Sequence, residues 1–241
     1  MSILCRAFVK KIDESLIVPI RERRMKKISV VLSGCGHRDG AEITEAVSLM
    51  INLSKAGASI EYFAPNLNIS PVNHLTGEIA KAEKRNVLIE SARISRGKSK
   101  DLILLNPNEF DALIFVGGSG VAKNLSSWST QGANCEILPE IQSAIESFYK
   151  KSKPIGAICI SPVLLAKVLG GNKVKLTIGN DKETIAEIEK TGAIHIECDV
   201  DDCVVDKENK IVTTPAYMYD ERPDKIFEGI SKFAKEIIKL I

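Results

Sequence analysis

The chain has 241 residues, 44% of them hydrophobic and 27% charged, with a formal net charge of +2, a composition ordinary for a globular protein with enough length for a sizeable core. The charge is unevenly spread: residues 1–24 hold six Lys/Arg against three Asp/Glu, while the remainder holds 27 basic against 28 acidic residues. The body therefore carries no basic footprint for nucleic acid, and no apolar run reaches the roughly 18 residues that a membrane-spanning helix needs.

Residues 1–24 precede a second methionine, Met25, and read as a basic N-terminal extension. Their basic excess fits a mitochondrial presequence, but Asp13, Glu14 and Glu22 oppose one, so a cytoplasmic protein is expected, with mitochondria as the alternative. Residues 25–241 then alternate between buried strands and amphipathic helices. KISVVLS (27–33) reads as a strand, followed by a loop with glycines at 34, 36 and 40, and by a helix over 42–57 closing on Gly57. ASIEYFA (58–64) is the next strand, residues 65–78 form a polar loop holding His74, and 82–95 have helical spacing.

FDALIFVGG (110–118) is a strand running into a glycine turn, and 138–153 a helix with Pro139 in its first turn. PIGAICI (154–160) is a strand again, and SPVLLAKVLGG (161–171) a helix ended by glycines. Short strands are expected near 174–178, 193–198 and 202–206, with 210–217 pairing back on the last of them through a turn at Lys207–Asn209, and an amphipathic helix over 222–240. Such alternation without repeats or linkers predicts one doubly wound α/β domain with a mostly parallel sheet. In these folds the carboxyl edge of the sheet builds the site, and that edge gathers SGCGHRDG (33–40), VGGSG (116–120) and AICISP (157–162).

The first glycine loop invites a phosphate-binding reading. A dinucleotide fold should also end its second strand on an acidic residue to hold the ribose, yet Glu61 lies inside that strand, and Asp39, Glu42 and Glu45 put negative charge where phosphate would sit. The glycines answer another demand: close backbone approach at the strand edge and a turn that positions Glu45. The six cysteines (Cys5, Cys35, Cys135, Cys159, Cys198, Cys203) form no CxxC pair, and His37, His74 and His195 show no zinc-like spacing. Free thiols in a reducing compartment, with neither metal nor cofactor, are expected.

The chemistry-bearing reading centres on Cys159, at a strand end with a helix beginning at Ser161-Pro162. This is the strand–turn–helix elbow that presents a nucleophile, and the helix start should lower the thiol pKa. The adjacent Gly117 and Gly118 can aim bare N–H groups at one spot, as an oxyanion cradle requires, and Glu45, one turn into the first helix, can face the same cleft with a raised pKa and exchange protons.

GGSGVAKNLS, AICISP and GAEITEAV resemble the ThiJ/PfpI branch of the class I glutamine-amidotransferase-like superfamily. LSGCGHRDGAEI, VNHLTGE, RNVLIESARISRG, LTIGND and KIVTTPAYM narrow the resemblance to the ElbB-type, isoprenoid-biosynthesis-associated subgroup across nearly all of 26–240. The resemblance implies a flavodoxin-like three-layer sandwich, usually dimeric, with a nucleophile-elbow cysteine at Cys159 and a partner glutamate at Glu45. Backbone donors would be Gly118 and Ile160, and the implied activity is a cofactor-free glyoxalase acting on a small aldehyde or dicarbonyl. Peptidase-like members carry a histidine directly after the cysteine, where this chain has Ile160, and His195-Ile196-Glu197 comes too early for the late H-x-E of glutaminases. Asn124 and Trp128 are expected to line or cover the pocket, His74 to serve it as a donor or second base, and Cys35 and His37 to sit near the cleft rim, Cys35 as a filler or a disulfide partner for oxidised Cys159. A redox-responsive or interaction protein that keeps the reactive cysteine is the alternative.

Overall fold

The computed structural model describes residues 24–241, so the expected N-terminal extension lies outside the described residues apart from Arg24, which pairs with Asp111. The strands are β1 (Lys27–Val31), β2 (Ser59–Ala64), β3 (Asn68–Ile69), β4 (Arg85–Asn86), β5 (Ser99–Asp101), β6 (Ala112–Phe115), β7 (Ile155–Ile158), β8 (Lys175–Leu176), β9 (Ile194–His195), β10 (Val204–Asp206) and β11 (Ile211–Thr214). The α-helices are α1 (Ile43–Lys55), α2 (Val87–Ile94), α3 (Trp128–Gln131), α4 (Pro139–Lys150), α5 (Pro162–Leu169), α6 (Lys182–Lys190) and α7 (Pro223–Leu240).

A seven-stranded sheet runs β10-β11-β7-β6-β1-β2-β5, parallel throughout except for the antiparallel edge strand β10. Its central strands are apolar runs because both of their faces are covered. On one face, Leu49 and Leu53 of α1 and Ile226, Ile230 and Phe233 of α7 pack with Ile28, Val30 and Ile114. On the other, Ile141, Ile145 and Phe148 of α4 and Val163, Leu165 and Leu169 of α5 pack with Val31, Leu113 and Phe115. This is the flavodoxin-like sandwich, and β1 and β6 lie side by side where the connections diverge to opposite edges, which makes a crevice at their carboxyl ends.

The expected helix over 82–95 starts later. Arg85 and Asn86 pair with Ile69 and Asn68, and the Asn86 side chain then caps α2 by accepting from the Ile89 N–H at 3.2 Å. The strands expected near 174–178 and 193–198 form a separate two-stranded parallel ladder, β8 with β9. Helix α6 and edge strand β5 are additions. The sequence KETIAEIEK buries only Ile188 of α6, so its apolar period is weak, and β5 is three residues of mixed polarity.

Candidate active site

The chain turns sharply after β7. Cys159 sits at φ +62°, a left-handed conformation that costs a non-glycine residue energy and persists only where the surroundings impose it. They do: the Cys159 N–H donates to the Thr214 carbonyl at 2.9 Å and the Ser161 hydroxyl to the Val116 carbonyl at 2.8 Å. Pro162 then starts α5 with a ring pre-set for a first helical turn. The elbow is thus stitched to the strands on both sides, β11 and β6.

The two glycine loops answer to each other rather than to a phosphate. The Ser119 N–H donates to the His37 carbonyl at 2.7 Å, the Gly120 N–H to the Gly40 carbonyl at 3.1 Å, and the Glu42 N–H to the Gly117 carbonyl at 3.0 Å. Asn124 strengthens this seam, its amide donating to the carbonyls of Ser33 at 2.9 Å and Asp39 at 2.7 Å. Gly117 has no room for a side chain: a Cβ there would lie 2.3 Å from the Cys159 Cβ and 2.4 Å from Glu45 Oε2. The thiol and the carboxyl therefore meet over a bare backbone.

Glu45 is 0% exposed. Its Oε1 accepts from the Tyr217 N–H at 3.2 Å, and Oε2 faces the Cys159 thiol and the Gly117 N–H without meeting either in full hydrogen-bond geometry. Burial, reinforced by the nearby charge of Glu42, pushes the Glu45 pKa up to about 8, so the carboxyl holds its proton at neutral pH. Burial, reinforced by the charge of Glu45, also pushes the Cys159 thiol well above its ordinary value, against the opposing N–H groups of Gly118 and Ile160. The direction for Glu45 is the one anticipated; that for Cys159 is the reverse. A helix start and two amides favour thiolate, but desolvating a sulfur that is 7% exposed beside a carboxyl outweighs them. The resting pair is a thiol against a neutral acid, with two N–H groups aimed at the sulfur.

The sulfur opens into a cavity of about 660 Å³ whose walls include His37, Glu42, Gly118, Lys123, Cys159, Ile160, Tyr217 and Tyr219. Gly117 and Glu45 lie directly behind the sulfur. Other anticipated pocket residues lie elsewhere. His74 is on the outer surface, its Nδ1 donating to the Val72 carbonyl at 3.0 Å and its Nε2 accepting from the Arg38 N–H at 3.3 Å. Cys35 faces Glu90, Arg93 and Asp39, and burial raises its pKa. Asn124 is spent on the loop seam, and Trp128 is buried in the core. His195 sits on β9, accepting from the Ile178 N–H at 3.3 Å, with Glu197 beyond that strand. His37, expected at the cleft rim, does line the cavity, and two features went unread in the sequence: the Tyr217 N–H and Glu42 as a cap. The last had a signal, an acidic residue three positions before Glu45 at a helix start, and its Oε2 accepts from the Glu45 N–H at 2.7 Å. Among the described residues no group of three or more His, Cys, Asp or Glu side chains is arranged to hold a metal, and no helix is long and apolar enough to cross a membrane.

Residues 31–220 match the DJ-1/PfpI family. The chain belongs to that family. The human glutamine amidotransferase-like class 1 domain-containing protein 3, mitochondrial, is 40% identical over 228 residues, covering 90% of this chain and 84% of the relative. Among solved structures, an isoprenoid biosynthesis protein with an amidotransferase-like domain from Ehrlichia chaffeensis is 40% identical, with a TM-score of 0.84 over 89% of this chain and 99% of that one. Glyoxalase III from Candida albicans shares the fold at 16% identity, with a TM-score of 0.58 over 90% of this chain and 98% of that one. This DJ-1/PfpI protein thus carries the amidotransferase-like fold without a histidine following its elbow cysteine.

Proposed function

We propose that this protein is a cofactor-independent glyoxalase-like enzyme that turns glyoxal, or a similar small 1,2-dicarbonyl, into the corresponding hydroxy acid. The observation that carries the reading is the pairing of the Cys159 thiol with a neutral Glu45 carboxyl, under N–H groups from Gly118 and Ile160. The thiol adds to one aldehyde carbon, its proton passing through Glu45 to the carbonyl oxygen, and a hemithioacetal results. The two N–H groups hold the charge that develops on that oxygen. Glu45 then gives its proton to the second carbonyl oxygen and takes the one on the sulfur-bearing carbon, forming an enediol; return of that proton to the neighbouring carbon, with loss of the first hydroxyl proton to the carboxylate, leaves a hydroxyacyl thioester on Cys159 and Glu45 neutral again. Water cleaves the thioester to the hydroxy acid and the free thiol. An aldehyde suits this site because addition needs no amine leaving group and so no acid beside the sulfur other than Glu45.

Incubation with glyoxal should yield glycolate, and Cys159→Ser should abolish it; glycolate formation unchanged by that substitution overturns the mechanism. The alternative, a redox-responsive protein, asks for an accessible thiol, and Cys159 is 7% exposed. Amide hydrolysis in the manner of glutaminases would rest on the late H-x-E pair, and His195 and Glu197 lie off the cavity. The names of the mammalian relatives favour the mitochondrial location, and the basic excess of residues 1–24 fits that reading. Fractionation of cells making the tagged full chain tests it, with recovery in the cytosol the contrary result. A homodimer through exposed Ile43, Val47 and Ile51 of α1 is the assembly we propose; sedimentation of an Ile51→Glu variant as the same dimer would exclude that face.

A further inference from the structure

Under the glyoxalase reading, cleavage of the thioester is the step for which Glu45 is badly placed. It is 0% exposed and lies behind the sulfur, with Oε1 held by the Tyr217 N–H. A water attacking the acyl carbon comes from the opposite, cavity side. Ile160 stands where a histidine could have served there.

We propose that His37, from the first glycine loop, is the general base that activates the water cleaving the acyl-Cys159 thioester. His37 and Cys159 line the same cavity. The His37 backbone is anchored beside the oxyanion donors, because its carbonyl accepts from the Ser119 N–H at 2.7 Å and Ser119 follows Gly118 directly. Its ring is held edge-to-face against His74, with centroids 5.2 Å apart and planes at 85°. His74 is oriented by a bond at each ring nitrogen, and it leaves Gly36 no room for a side chain, since a Cβ there would fall 2.5 Å from His74 Nε2. Together the glycine and the second histidine hold the first one at the cavity wall.

Three of the other titratable groups on that wall are committed, which leaves the Tyr217 and Asp220 side chains beside His37. Glu42 Oε2 caps Glu45, Lys123 donates to the Arg38 carbonyl at 2.9 Å, and the Tyr219 hydroxyl donates to the Cys198 carbonyl at 2.9 Å. In the proposed step the imidazole takes a proton from water as the water oxygen bonds to the acyl carbon. The tetrahedral oxyanion rests on the Gly118 and Ile160 N–H groups, then collapses, breaking the C–S bond. The imidazolium proton passes to sulfur, which leaves a carboxylic acid and a thiol with no change of oxidation state.

The step can be isolated from the glyoxal chemistry with p-nitrophenyl acetate, which delivers an acyl group to Cys159 directly. The wild-type protein should turn over. His37→Gln should release about one equivalent of nitrophenolate in a burst and then slow about 10²-fold or more, the usual weight of a general base. Imidazole added to His37→Ala should restore turnover, and Cys159→Ser should show no burst. With glyoxal, a hydroxylamine quench of His37→Gln should give glycolohydroxamate from the trapped thioester, which a merely structural role would not produce. Deacylation within threefold of wild type in both His37 variants overturns the proposal, as does failure of the ester to acylate Cys159. If glyoxal yields no glycolate while ester deacylation depends on His37, the dicarbonyl reading falls and the role of His37 stands; the reverse pattern removes His37 alone.

Discussion

The floor and the rim of the cavity are built on different principles. On the floor, Cys159, Glu45 and Gly117 are packed against one another among backbone groups: the Tyr217 and Gly118 amides, the Ile158 carbonyl and the turn after β11. Burial there decides the protonation state of both reacting groups. At the rim, His37 is backed from outside the cavity by the segment between β2 and α2, which carries His74 and Leu75, the latter 95% exposed. It meets the first glycine loop through a handful of contacts, chiefly the Val72 N–H donating to Asp39 Oδ2 at 2.6 Å and the His74 ring against Gly36. A floor made of backbone cannot yield to a changed side chain, whereas a rim made of side chains can relax. The same chemical insult should therefore cost far more below the sulfur than above it.

The largest effect should come from Gly117→Ala. Its methyl would collide with the Cys159 Cβ at 2.3 Å, Glu45 Oε2 at 2.4 Å and the Ile158 carbonyl at 2.9 Å, and the last of these is backbone in a central strand turn. Overpacking of this kind costs about 1–3 kcal/mol or more, and a displacement of roughly 1 Å between reacting groups costs on the order of 10²-fold in rate. Urea unfolding should show the stability loss and the glycolate assay a near-complete loss of activity. Wild-type behaviour in both would mean that the floor is as soft as the rim.

Glu45→Gln separates the two roles of the floor carboxyl. Its pKa rises from 4.5 to about 8 on folding because burial penalises the charge, so the folded state binds this proton more tightly than the unfolded one. The resulting stabilisation is fully present below about pH 4.5 and drains away as pH climbs through about 8, a swing on the order of 5 kcal/mol. Glutamine has no proton to lose, so the variant's unfolding midpoint should be flatter with pH and should match or exceed wild type on the alkaline side. Glycolate formation should meanwhile fall about 10²- to 10⁴-fold for want of a proton carrier. Parallel pH–stability curves for the two proteins would show that Glu45 ionises freely in the folded state.

The contrast also explains what could be read from the sequence. Strands such as KISVVLS and FDALIFVGG announce themselves because a covered parallel sheet demands unbroken apolar runs, and the glycines and prolines that end them mark the carboxyl edge. The elbow at Cys159, the two glycine loops and Glu45 facing their cleft followed from that, and the resemblance to ThiJ/PfpI proteins implied the same pair. The pKa direction of Cys159 did not follow, because a pattern reveals a helix start but not how completely a sulfur is desolvated. Asn124, Cys35 and His74 do not line the pocket as expected, because which way a side chain turns from a loop is set by tertiary contacts, such as the Ser33 and Asp39 carbonyls that claim Asn124.

At the rim, His74→Ala removes the bonds to Val72 and Arg38 and the wall behind His37. Exposed hydrogen bonds contribute little, so a loss of about 1 kcal/mol is expected. Glycolate turnover should fall several-fold, less than for His37→Gln, because the base remains but is held less firmly. A loss as large as that of Gly117→Ala would place the rim among the rigid parts of the site.

The smallest effect belongs to His195→Gln. The H-x-E spacing at 195–197 looks catalytic in one dimension, but His195 lies on β9 in the satellite ladder, outside the cavity wall. Burial pushes its pKa down, which suits the neutral nitrogen that accepts the Ile178 N–H at 3.3 Å. A glutamine oxygen can accept the same bond, so glycolate formation should stay within about twofold of wild type and stability within about 1 kcal/mol. A fall of tenfold or more, with the unfolding midpoint unchanged, would mean that this ladder reaches the reacting atoms, and the line drawn between a rigid catalytic floor and its surroundings would have to be moved outward to include it.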